Sequence, residues 1–320
     1  MKSPLLALPG AVPAEGADEG VAAHYGDIFR EQRRLAEGNG FVDLSHRGVL
    51  TVTGEDRLSW LHLLLTQHVS ALPAQQATEA LVLSPHGHVE HALYLVDDGA
   101  TTWVHVEPGT QQALLAYLAS MRFFYRVEVA DATADYAVVH LPAGSSASAD
   151  GAAAVRELPY GRDLFLPRAE LATLTKGYGP AAGVWAYEAL RVEAHRPRLG
   201  FETDHRTIPH EVDWLATAVH LNKGCYRGQE TVARVHNLGR PPRRLVFLHL
   251  DGTEESLPPH GTEVRLASDP QGRALGFVTS SARHHELGPI ALAIVKRNVP
   301  VDALLLAGTV PAAQEVVVPQ

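Results

Sequence analysis

Lys223-Gly224-Cys225-Tyr226-Arg227-Gly228-Gln229-Glu230 is the stretch from which the rest of the chain is read. Two glycines bracket a cysteine just before a predicted helix over Gly228 to His236, with Gly239 as its C-terminal signal. Glycine lets the backbone approach a ligand closely. A thiol near a helix N-terminus, with Lys223 and Arg227 beside it in sequence, has its thiolate favoured. Gln229 offers a donor and an acceptor, and ionised Glu230 only accepts. Residue types alone leave a second reading open, in which Cys225 is a small buried apolar residue and the glycines shape a turn.

Upstream, Phe41 to Thr53 reads as strands, and Gly54-Glu55-Asp56 opens a helix whose apolar face is Leu58, Leu61, Leu64 and Leu65. Leu81–Leu83 and Ala92–Val96 read as strands around the turn Ser84-Pro85-His86-Gly87. Trp103–Val106 is a further strand, Thr110 caps a helix to about Met121, and Phe123 to Val129 returns as a strand. Residues 142–154, rich in Ala, Ser and Gly, read as a surface loop. Helices are predicted at Arg168–Lys176, closed by Gly177, and at Val184–His195; Trp214–Asn222 fits either element. Beyond Arg240-Pro241-Pro242 the pattern becomes short β runs at Leu245–Leu250, Glu263–Leu266, Leu275–Thr279, Ile290–Val295 and Ala303–Leu306. These predict a small antiparallel barrel or sandwich. The class is α+β rather than a doubly wound sheet. The expected organisation is a flexible tail over residues 1–24, two α+β subdomains over 25–239, and a β domain over 240–320.

The 320 residues are 46% apolar and 20% charged, ordinary globular values, with a formal charge of −9. That charge argues against wrapping nucleic acid, although Arg240, Arg243 and Arg244 are candidates for a local basic patch. One cysteine permits no intramolecular disulfide and cannot alone hold an iron–sulfur cluster. The apolar run at the N-terminus is broken by Pro9 and Gly10, and no stretch approaches the roughly 20 apolar residues of a membrane span. The expected location is the cytoplasm, with no membrane partner.

The order of the eight residues matches in full the K-G-C-Y-x-G-Q-E signature, and the chain resembles the YgfZ family of folate-binding proteins, related to mitochondrial iron–sulfur assembly factors. Similarity to the wider glycine cleavage T-protein (aminomethyltransferase) superfamily extends to Phe41–Ser45, Val52–Asp56, Arg191-Val192-Glu193 and the β-rich C-terminus. Asp204–Glu211 resembles the loop that precedes the family motif. The resemblance implies a ring of three subdomains around a central channel, ending in an antiparallel β-barrel. It implies tetrahydrofolate, or a one-carbon derivative, as ligand. It places Glu193 on the pterin, a role that suits a carboxylate accepting two parallel N–H bonds; a solvated helix carboxylate is the alternative. Folate-site candidates are then Glu193, Arg191, Lys223, Tyr226, Gln229, Glu230 and Arg234, with Cys225 as the reactive group. Arg234 lies four residues after Glu230, placed to pair with it or to meet the anionic folate tail.

The T-protein carries an aspartate pair after a glycine in its second strand. Here the matching stretch is Gly87-His88-Val89-Glu90-His91, with Glu90 and His91 in their place. That departure argues against aminomethyl transfer and leaves open whether the chain is an enzyme. His86, His88 and Glu90 would share one strand face, which raises zinc as an alternative to a polar hairpin; with 18 histidines in the chain, local clusters are expected, and no metal is assigned. The expected function is folate-dependent support of iron–sulfur cluster assembly or repair in client enzymes, including tRNA-modifying ones. The partners are folate and iron–sulfur clients or assembly factors. The alternatives are a folate-dependent one-carbon transferase, a thiol hydrolase using Cys225 with His220 or His236, and an interaction protein.

Overall fold

Strands that are mostly continuous buried runs, such as Tyr136–Pro142 and Gly288–Lys296, build two five-stranded sheets and a barrel. A computed structural model describes residues 1–253 and 256–318. Glu254, Glu255, Pro319 and Gln320, all within the expected β domain, lie outside the described residues. Two compact units are formed: Met1–Val82 with His91–Tyr187 and Lys223–Tyr226, and Leu83–Glu90 with Glu188–Asn222 and Arg227–Gln320. The division cuts across the boundary expected near residue 239.

In the first unit one sheet runs in the order Ala154–Leu158, Gly161–Pro167, Tyr136–Pro142, Phe41–Asp43, Ala181–Ala182. Its Val139, Leu141, Leu164 and Leu166 pack with Leu5, Phe41 and Leu171. The other sheet runs Ala77–Leu83, Val89–Asp97, Thr101–Val106, Gly48–Thr53, Glu128–Asp131. Leu50, Val52, Val104 and Val106 on one of its faces pack against Trp60, Leu61 and Leu64 of the helix Arg57–Leu64 and Leu114 and Leu118 of the helix Gln111–Ser120.

Strand periodicity sends Trp103 and His105 to the opposite face, where both rings meet Phe165 of the first sheet. Asp163, two residues from Phe165, sits at the centre of this layer. Its carboxylate accepts from His140 Nδ1 at 2.8 Å, His105 Nε2 at 3.2 Å and Arg156 Nη1 at 3.0 Å. Arg47 Nη1 approaches His105 Nδ1 at 3.5 Å. Arginine can only donate, so the His105 proton sits on Nε2, facing Asp163. Desolvation alone would raise the Asp163 carboxyl, but the hydrogen bonds from His105 and His140 hold it well below its ordinary pKa, while burial pulls His105 down to about 4.

Residues 1–24 are a correction to the expected flexible tail. Val12–Pro13 pairs with Ala22–His24, Ser3 Oγ donates to Asp43, and Leu5 and Val21 are buried. The Ala-, Gly-, Pro- and acid-rich composition hides Leu5, which packs into the core of the first sheet. Phe123 to Val129 is also corrected. The strand is Glu128–Asp131, and Phe123 and Phe124 form an exposed turn. Arg168–Lys176 divides into a 3₁₀ turn, Arg168–Thr173, and a short helix, Thr175–Tyr178, stopped at Gly179 rather than Gly177.

In the second unit the C-terminal strands close into a six-stranded barrel: Arg243–Leu250, Gly288–Lys296, Gly276–His284, Glu263–Leu266, Leu305–Ala307, Val310–Val316. Val246, Leu248, Val264, Val278, Ala293 and Leu305 fill it. Closure is antiparallel throughout and decides between the barrel and the sandwich. The register slips between Val278 and Ser280, a bulge that re-aims the side chains around it. The expected basic patch is not presented. Arg243 is held by Asp204 at 2.6 Å and Glu211 at 2.8 Å, and Arg244 is buried.

Candidate functional site

The eight-residue motif divides between the units after Tyr226. In the first unit, Cys225 is exposed, so the reading in which it is a sealed apolar residue fails. Lys223, two positions earlier, is buried at 6% exposure. Its ammonium donates to the carbonyls of His62, Leu65 and Gln67, the last at 3.1 Å. These carbonyls lie at and just beyond the end of the helix Arg57–Leu64, where intrahelical donors run out and a cation is favoured by the dipole. The same ammonium lies over the Tyr226 ring, 5.2 Å from Nζ to the centroid, a cation–π contact. Burial pulls the lysine down to about 8 and pushes the Tyr226 phenol up to about 12, so the phenol is neutral. Lys223, expected to meet folate, is instead the anchor that fixes the cysteine loop to a helix end.

In the second unit the motif continues into the helix Gln229–Leu238. Gly228 has φ +82°, and a Cβ there would come within 2.6 Å of Ser84 O and 2.9 Å of Gly87 Cα. Gly87, at φ +80°, would in turn meet Thr231. The two glycines let the turn Ser84–Gly87 abut the helix start. Arg227 pairs with Glu90 at 3.0 Å, so the one carboxylate of the set that had suggested zinc is engaged with a guanidinium. Among the described residues no group of three or more His, Cys, Asp or Glu is placed to hold a metal. Glu230 and Arg234 form an exposed i,i+4 pair at 3.2 Å, and Gln229 is half-buried at the first helical position.

Glu193 ends the helix Val184–Glu193 with its side chain 43% exposed. Arg191, two residues earlier, points the other way. Its guanidinium is buried against Glu188 at 2.9 Å, Glu202 at 3.1 Å and Ser280 Oγ at 2.7 Å. Glu202 Oε1 accepts in turn from Thr279 and Ser280, the residues at the barrel bulge. Arg191, expected on the ligand, is therefore the residue that locks the helix end to a barrel strand. The partner of Glu193 is His284, whose Nε2 lies 3.3 Å from Glu193 Oε2. Sequence reading weighs His284-His285 only as a weak metal pair and misses the pairing of His284 with Glu193, the role of Glu202 and the inward role of Lys223, because each acts through partners far along the chain.

No protein-family model matches the chain. An aminomethyltransferase of Herpetosiphon aurantiacus is 27% identical over 332 residues, covering 92% of this chain and 90% of that one. A putative chloroplastic transferase of Arabidopsis thaliana is 26% identical over 299 residues, 82% of this chain and 66% of that protein. A mitochondrial iron–sulfur cluster assembly factor IBA57 homolog of Mycosarcoma maydis is 25% identical over 303 residues, 79% and 73% of the two chains. Among solved structures, the glycine cleavage system aminomethyltransferase T of Bartonella henselae superposes with a TM-score of 0.81, covering 98% of this chain and 94% of that one at 19% identity. Among the described residues no helix is long and apolar enough to cross a membrane. The chain has the fold of the glycine cleavage T-protein, and its relatives are aminomethyltransferase-like proteins that include an iron–sulfur assembly factor homolog.

Proposed function

We propose that this protein is a YgfZ-type, tetrahydrofolate-binding accessory factor for iron–sulfur cluster assembly or repair, acting in the cytoplasm on cluster enzymes that include tRNA-modifying ones. The observation that carries the proposal is the exposed Cys225 thiol, held on a loop that Lys223 fastens to a helix end. A loop fixed in this way presents one nucleophile in a set place. Similarity to the iron–sulfur assembly factor homolog supports the same reading.

The residues fit a folate in part. Glu193 offers an exposed carboxylate suited to the N–H pair of a pterin. Gln229, Glu230 and Arg234 lie within reach of solvent on one helix. Lys223 and Arg191 hold the framework instead. Bound tetrahydrofolate would supply one-carbon carrying chemistry, and this chain would bind and orient it. Restoration of cluster-enzyme activity in a strain deleted for the gene tests the proposal. Cys225→Ala should fold like wild type and fail to restore activity; full restoration by that variant removes the thiol from the mechanism.

A folate-dependent aminomethyl or one-carbon transferase is the second reading, favoured by the similarity to aminomethyltransferases over most of the chain. Against it, Glu90 stands where an aspartate is expected and is paired with Arg227. Multiple turnovers with a methylene donor and tetrahydrofolate would promote it.

A further inference from the structure

We infer that His284 is the positioning residue that presents the Glu193 carboxylate to the 2-amino-4-oxopyrimidine edge of a pterin, an inference that rests on the folate reading of Glu193 given above. His284 closes the strand Gly276–His284 with its side chain 1% exposed. Its Nδ1 accepts from the backbone N–H groups of Glu286 at 3.3 Å and Leu287 at 3.2 Å in the hairpin that follows. A ring nitrogen that accepts carries no proton, so in the neutral imidazole the proton is on Nε2. Nε2 faces Glu193 Oε2 at 3.3 Å. The approach is off the axis of a full hydrogen bond and leaves the buried Nε2–H without a well-formed acceptor. Rotation of the carboxylate onto it satisfies both groups. Burial outweighs the pull of Glu193 and lowers the His284 pKa, which keeps the ring neutral at pH 7.

A neutral N–H has an advantage over a cation in this place. It fixes one carboxylate oxygen without neutralising the charge, and the other oxygen stays free to accept from a ligand. The same strand makes both fixings. Ser280 and His284 are four residues apart on one strand face. Ser280 holds Arg191 and so the helix end, and His284 aims its Nε2–H at Glu193, ready to donate to the rotated carboxylate. A carboxylate held in one rotamer loses less entropy on meeting two parallel ligand N–H groups.

The test titrates the full chain with tetrahydrofolate and with its 2-desamino-2-methyl analogue, which lacks the amino donors, reading binding by calorimetry and folding by circular dichroism. His284→Asn keeps an acceptor where Nδ1 sits but does not reach Glu193, whereas His284→Gln reaches Glu193. H284N is expected to lose about tenfold in tetrahydrofolate affinity, the loss of one hydrogen bond to a charged group, together with most of the preference over the analogue. H284Q is expected to recover the preference. Wild-type affinity and preference in H284N overturn the inference while leaving Glu193 on the pterin. Wild-type affinity and preference in Glu193→Gln overturn the folate reading of Glu193 itself. Should H284N fail to fold, loss of preference in a folded H284Q overturns the inference and its retention supports it.

Discussion

Replacing Lys223 by methionine separates an anchoring lysine from a ligand-binding one. Methionine keeps a long unbranched side chain but removes the ammonium from the Tyr226 ring and from the carbonyls of His62, Leu65 and Gln67. A buried acceptor left unsatisfied costs about 1–3 kcal/mol, and the substitution also relieves the desolvation of an ammonium. The expected net loss is about 2–4 kcal/mol in unfolding free energy at pH 7. Urea titration followed by tryptophan fluorescence suits the measurement, because Trp60 is buried in the helix that Lys223 caps. The pH dependence gives a second reading. The folded lysine titrates near 8, below the roughly 10.4 of an unfolded lysine. Between those values the unfolded chain binds the extra proton, so wild-type stability rises with pH there and K223M lacks that rise. K223M with unchanged unfolding free energy but abolished tetrahydrofolate binding would refute the anchoring role.

Acid stability follows from two buried histidines. His105 and His210 are both pulled down to about 4 by burial, and neither His210 ring nitrogen has a hydrogen-bond partner. Between about pH 4 and 6.5 the unfolded chain takes up protons that the folded chain refuses, so stability falls as pH drops through that window. His210→Leu should match or exceed wild-type stability at pH 7 and flatten the decline in unfolding free energy between pH 6.5 and 5; an unchanged slope would exclude His210 as a source. Gly228→Ala forces a side chain into a left-handed backbone and against Ser84 O. A loss of about 2–4 kcal/mol in urea unfolding is expected, and a wild-type value would mean that the turn and helix start are not in contact.

Legible in the residues alone were the Lys223–Glu230 motif, the α+β class, and the elements with strong local period. The Gln229–Leu238 helix and the strands around Leu245–Leu250 and Glu263–Leu266 stand close to their predicted places. Tertiary structure alone decided which way the charged side chains of the motif face. Lys223 and its acceptor on His62 are 161 positions apart, and Arg191 and Ser280 are 89 apart. No local periodicity encodes such pairings, and a long cationic side chain next to a motif reads equally well as ligand contact or as anchor. The same distance in sequence hid the buried N-terminal segment, whose few apolar residues gain meaning only against a sheet built much later in the chain. The pairing of His284 with Glu193 was invisible for a related reason: the tautomer of the ring, and with it its value to Glu193, is set by a hairpin that exists only once the barrel has closed.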